Sequence, residues 1–130
     1  MALRVLLDTH ALLWWLFDEP WLSRKARNAI RKPDNIVMVS SASAWEIATK
    51  FRLGRLPEAA EAANNLAALL RQARFDVLPI ALEHASSAGM LGGDHRDPFD
   101  RMLIAQAKLE QLPVITRDPI FKAFGVRVIW

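Results

Sequence analysis

Five short apolar runs, separated by segments of helical character, constrain this chain more than any other feature. They are Arg4 to Leu7, Ile36 to Val39, Phe75 to Ile80, Pro113 to Thr116 and Val126 to Ile129. Each is too short for a buried helix and reads as a buried strand. Between them lie helical stretches. His10 to Phe17 is broken by Asp18-Glu19-Pro20, and Arg24 to Arg31 follows a capping Ser23. A helix carrying Trp45, Glu46, Ile47 and Lys50 begins among Ser40-Ser41-Ala42-Ser43 and ends at Gly54. Pro57 opens a long helix over about 58–74, and 82–90 forms a short one. Asp97 caps a helix that has Pro98 in its first turn and runs to about Gln111. Strands alternating with helices predict an α/β fold: one central parallel sheet of four to five strands, with helices on both faces.

The 130 residues, 52% of them hydrophobic, suit a single domain over 1–130 with one good core. There is no internal repeat and no linker. No stretch of 18 residues is apolar and uncharged, which argues against a membrane span. The N-terminal run is interrupted by Asp8 too early for a signal peptide. The absence of cysteine removes disulfides and thiolate metal sites and fits a reducing cytoplasm. A net charge of +3 is compatible with a polyanionic partner and is too small to be a signature of one.

Within this basic chain, four acids stand where a strand gives way to a helix or loop. Asp8 follows the first strand and Asp118 the fourth. Glu46 lies in the first turns of the helix after the second strand, and Asp100 at the third position of the helix that leads into the fourth. Ligands of open parallel sheets bind outside the carboxyl ends of the strands. Local pattern places Asp8, Glu46 and Asp118 at that edge, and Asp100 joins them if its helix runs antiparallel to the strands. Two like charges ~4 Å apart near a protein surface cost on the order of 4 kcal/mol, so such a cluster calls for a cation. Carboxylates without thiolates favour a hard ion, Mg²⁺ or Mn²⁺, over zinc. The chemistry that fits is phosphodiester hydrolysis, with an activated water attacking in line.

The order and spacing of these motifs resemble the PIN-domain nucleases over essentially the whole chain. The carrying residues are Asp8 after an N-terminal strand, Ser43-x-x-Glu46, Asp100 followed by Leu103-Ile104-Ala105-Gln106-Ala107, and Thr116-Arg117-Asp118. The run Asp97 to Ala107 and the closing Gly125 to Trp130 look like one subgroup of the VapC-type ribonuclease toxins. The resemblance implies a Mg²⁺- or Mn²⁺-dependent endoribonuclease acting on RNA. It also implies a homodimer inhibited by a cognate antitoxin that inserts a segment near the active site. Carried over by motif, Asp8, Glu46, Asp100 and Asp118 are both catalytic and metal-holding, with Thr9 and Thr116 as supporting polar neighbours. Asp97 lies one turn before Asp100; counting back from Ala105-Gln106-Ala107 assigns the ligand role to Asp100 and the cap to Asp97.

Plainer roles stand beside these. Asp100 suits the dipole of its own helix, Asp118 suits a turn before Pro119, and Glu46 suits a solvated helix face. His10, His84 and His95 have no ligand spacing, although His95 sits in a Gly-rich loop within reach of substrate. Ser40, Ser41 and Ser43 read as helix caps. Lys50, Arg52, Arg55, Arg96, Arg101 and Arg117 are the candidates for gripping an RNA backbone. Trp14-Trp15 and their apolar neighbours read equally as core or as a dimer or antitoxin contact. Two other functions share parts of the pattern. A receiver-like interaction domain also collects acids at strand ends, but Val37-Met38-Val39-Ser40 lacks its phosphoacceptor. A structure-specific DNA nuclease shares the metal chemistry, but this length leaves no room for duplex-gripping insertions.

Overall fold

The computed structural model describes residues 2–130. Five strands, β1 (Arg4–Leu7), β2 (Ile36–Ser40), β3 (Asp76–Leu78), β4 (Val114–Ile115) and β5 (Val128–Ile129), form one sheet. Its order is β3-β2-β1-β4-β5, and every pairing is parallel. Seven α-helices accompany it: α1 (Thr9–Leu16), α2 (Arg24–Arg31), α3 (Ser41–Arg52), α4 (Ala60–Ala73), α5 (Leu82–Met90), α6 (Pro98–Glu110) and α7 (Pro119–Ala123). The α/β class and the parallel sheet agree with the expectation from sequence.

Period-two alternation assigns each strand residue to a face. Val5, Leu7, Val37, Val39 and Ile115 pack with Leu12, Ile30, Ile47 and Leu70 on one side. Leu6, Met38 and Val114 pack with Leu103, Ile104 and Phe121 on the other. Helix α3 straddles the two, sending Ile47 to the first cluster and Ala42 to the second. Both faces of the sheet are therefore covered, as a parallel sheet requires.

Several local details differ from the sequence reading. The expected long helix over 58–74 is a 3-10 turn, Pro57–Ala59, followed by α4, which itself kinks at Asn65, where φ is −132°. Strand β3 is only three residues long. Phe75 turns into the core before the strand begins, and Pro79, with no N–H to give the ladder, follows its end. Ser41 and Ser43 are not caps, because Ser40 alone accepts the Ala42 N–H at the start of α3. Helix α7 was not expected; Asp118 caps it by accepting the Ile120 N–H at 3.0 Å. Strands β4 and β5 are two residues each, shorter than the expected runs Pro113 to Thr116 and Val126 to Ile129. The remaining helix boundaries fall within a residue or two of where the capping and punctuation signals put them, including Ser23 before α2 and Gly54, at φ +74°, after α3.

The sheet order fixes the site. The chain moves outward from β1 through β2 to β3, then crosses back to lay β4 against the other side of β1. The reversal leaves a crevice beyond the carboxyl ends of β1 and β4, the topological switch point where open α/β sheets bind ligands.

Candidate active site

Asp8 occupies that crevice. Its backbone N–H continues the β1–β4 ladder by donating to the Ile115 carbonyl at 3.2 Å, and its own carbonyl accepts from Leu12 at the start of α1. Both carboxylate oxygens are engaged: Oδ1 accepts the Ala11 N–H at 2.7 Å and Oδ2 the Thr116 hydroxyl at 2.5 Å. Thr116 Oγ1 in turn accepts the Asp118 N–H at 3.0 Å. A chain of short-range bonds thus ties the end of β1 to the end of β4. Asp8 is only 8% exposed. Burial, partly offset by its hydrogen bonds and by His10, pushes its pKa from the ordinary 3.8 up to about 6, and the charge of Asp100 adds to the rise.

Asp100 reaches the same edge from α6, whose N-terminus Asp97 caps by accepting the Phe99 and Asp100 N–H groups. The antiparallel run of this helix, which the sequence reading had to assume, is what brings it there. Burial raises the Asp100 pKa; His95 lowers it, and Asp97, Glu46 and Asp118 each raise it. His95 Nε2 lies 2.8 Å from Asp100 Oδ2. This partner was missed in sequence because nothing in a Gly-rich loop says which way its histidine turns.

Glu46 is 3% exposed on α3, and its Oε2 accepts from Lys50 one turn on. An acid so deeply buried needs a counter-charge, and Lys50 supplies it. Thr9 and Ser43 share a hydrogen bond of 2.9 Å that joins the first turns of α1 and α3 beside the acids. Asp118 is the exposed member. With Asp8, His10, Trp14, Arg117 and Pro119 it lines an open groove of about 390 Å³. The Arg117 guanidinium lies 4.9 Å from the centre of the Trp14 ring along this groove.

The four acids therefore share one edge and one electrostatic field. They do not form a ready-made cage: among the described residues no three acid or histidine side chains converge on a single point. Each carboxylate is held by a partner from its own chain.

A model of the PIN domain matches residues 5–126. The chain belongs to the PIN domain family. A stretch of 64 residues of this PIN domain is 34% identical to Ribonuclease VapC16 of Mycobacterium tuberculosis, covering 49% of the chain and 44% of that protein's length. The chain thus spans less than half of that curated relative. Among solved structures, a chain of VapBC2 from Rickettsia felis, bound to a DNA fragment from its promoter, is similar at a TM-score of 0.70. It is 16% identical, with 97% of both chains covered. A chain of DNA-bound VapBC from Salmonella typhimurium is similar at a TM-score of 0.66 and 22% identity, over 97% of this chain and 96% of the other. Identities this low carry the fold alone.

The six basic residues put forward for RNA divide into two groups. Arg101, expected at an RNA backbone, is instead turned inward: it donates to the carbonyls of Ala88, His95 and Leu91 and, more weakly, Gly89. It ties the end of α5 and the following loop to α6. Lys50 is likewise committed to Glu46 and is not a free phosphate contact. Arg52, Arg55, Arg96 and Arg117 remain exposed.

His84, the third histidine, is buried far from these acids in sequence and touches none of them. It accepts the Ala81 N–H and pairs with Glu110, while Gln106 joins Ser40 to the Pro79 carbonyl beside it. In the first helix Leu12 and Leu13 are core, whereas Trp14, Trp15, Leu16 and Phe17 are half-buried against it. Among the described residues no helix is long and apolar enough to cross a membrane.

Proposed function

We propose that this PIN domain is an endoribonuclease dependent on Mg²⁺ or Mn²⁺, and the toxin of a VapBC-type toxin–antitoxin pair. The observation that carries the reading is the crowding of Asp8, Glu46, Asp100 and Asp118 at the switch point, where Asp8 and Asp100 each bind protons more tightly than an ordinary carboxylate. Oxygen donors without a thiolate suit a hard cation, and these four residues are the ones that would hold it. Such a cation, when bound, lowers the pKa of water and stabilises charge on phosphoryl oxygens.

The chain's own residues do the rest. Thr116 and the Ala11 N–H fix both oxygens of Asp8. His95 fixes Asp100, and Lys50 balances the charge of Glu46. Thr9 and Ser43 brace the two helices that carry the edge. Arg52, Arg55, Arg96 and Arg117 are placed on the surface to hold a phosphate backbone by charge.

The partial likeness to a named ribonuclease supports the RNA substrate, and a fold shared with VapBC complexes is in keeping with a cognate antitoxin. A homodimer working in the cytoplasm belongs to the same reading. The test is cleavage of single-stranded RNA with Mg²⁺ or Mn²⁺, against chelator and Asp8→Asn controls. Cleavage that survives both controls refutes the mechanism. Growth arrest on expression, relieved by the product of a neighbouring gene, tests the toxin assignment.

A further inference from the structure

One large aromatic at the site is spent neither on the core nor on the acids. Trp45 precedes Glu46 on α3 and is 53% exposed. Its ring meets Phe99, which precedes Asp100 on α6, edge-on at 4.6 Å between centroids. Phe99 is itself buried. The pair bridges the two helices that present Glu46 and Asp100. Consecutive helical residues point about 100° apart, so each acid turns to the site while its aromatic neighbour stands beside it.

We propose that Trp45, braced by Phe99, is a stacking platform for an unpaired nucleobase of the RNA strand held at the acids. This rests on the nuclease reading above. A half-exposed indole braced by a buried ring is preorganised for a flat partner, and base–aromatic stacking tolerates any base. The surface beyond it fits the rest of a nucleotide chain. Ala48 and Arg52 lie three and seven residues along α3, on the same exposed face as Trp45. Seven residues advance about 10 Å along a helix, so the guanidinium can hold a phosphate two turns from the stacked base, with the small Ala48 leaving the path open.

The test is binding of a labelled single-stranded oligoribonucleotide in chelator, where no cleavage occurs, to the full chain and to Trp45→Ala and Trp45→Phe. Trp45→Ala is expected to weaken binding on the order of ten-fold, with Trp45→Phe retaining most of it. Circular dichroism of the variants should match the original chain. An oligonucleotide series with one abasic position moved along the strand adds a readout that misfolding does not mimic. One position should weaken binding to the original chain and have no further effect on Trp45→Ala.

Unchanged RNA affinity in Trp45→Ala overturns the proposal, and so does an equal loss at every abasic position. A changed oligomeric mass with RNA affinity intact also overturns it, by assigning Trp45 to a protein contact. In these outcomes the original chain still cleaves RNA, so only the platform fails. If the original chain neither binds nor cleaves RNA, the nuclease reading fails first and the platform with it.

Discussion

Asp8→Asn should make this protein more stable at neutral pH while destroying its site. The carboxyl group of Asp8 has its pKa raised from 3.8 to about 6, chiefly by burial. A raised pKa in a folded acid is a cost carried by the ionised form. Below pH 3.8 the group is protonated in both folded and unfolded chains and the cost is absent. It grows as pH rises towards 6 and is fully present above. The shift is equivalent to roughly 3 kcal/mol of lost stability. Asparagine removes the charge and keeps an oxygen for the Ala11 N–H, so the helix cap survives. It also leaves the Thr116 hydroxyl without its acceptor, a loss of about 1 kcal/mol. The net gain is about 2 kcal/mol above pH 6. Thermal melts in chelator should read this as a rise of several degrees at about pH 8, shrinking towards pH 4. A variant that is less stable at pH 8, or a difference that does not change with pH, refutes the argument that burial and like charge perturb Asp8.

Other expectations follow from the same geometry. Added Mn²⁺ should raise the melting temperature strongly at about pH 8 and weakly near pH 5, where a proton on Asp8 competes with the ion; equal shifts at both would separate Asp8 from cation binding. Gln106→Ala should cost about 2–3 kcal/mol in urea denaturation, because it strands the buried Ser40 hydroxyl and the Pro79 carbonyl; a loss under about 1 kcal/mol counts against the network. Arg101→Met should speed amide exchange across residues 91–97 and leave the salt dependence of RNA binding alone. Arg52→Ala should instead reduce that salt slope by about 0.7, and the reverse pattern would show that the two arginines have been misassigned.

What was legible in the sequence depended on how locally each feature is encoded. Ser23, Gly54 and the Asp97-Pro98 pair are short-range signals, and the helices they bound fall where expected. Asp118-Pro119 uses the same cap-and-proline pattern as Asp97-Pro98, yet the five-residue helix behind it went unread because so short a segment has no hydrophobic period. The kink at Asn65 has no punctuating glycine or proline, so nothing local in the sequence announces it.

The four acids were legible because each follows a strand or opens a helix, and sheet topology turns those ends into one place. Their partners were legible only in part. Thr116 was placed beside the acids by motif, but its bond to Asp8, across 108 residues, and the pairing of His95 with Asp100 are contacts that folding creates. Arg101 shows the opposite error: beside a site acid it read as a phosphate contact, but only the path of the loop reveals four carbonyls waiting for it.

The central claim is that the four carboxylates together make a divalent-cation site. Titration of the full chain with Mn²⁺, followed by electron paramagnetic resonance, tests it directly. The account predicts saturable binding by the original chain, weakened about ten-fold or more by either Asp8→Asn or Asp100→Asn. Binding of unchanged affinity and stoichiometry in both variants would contradict it.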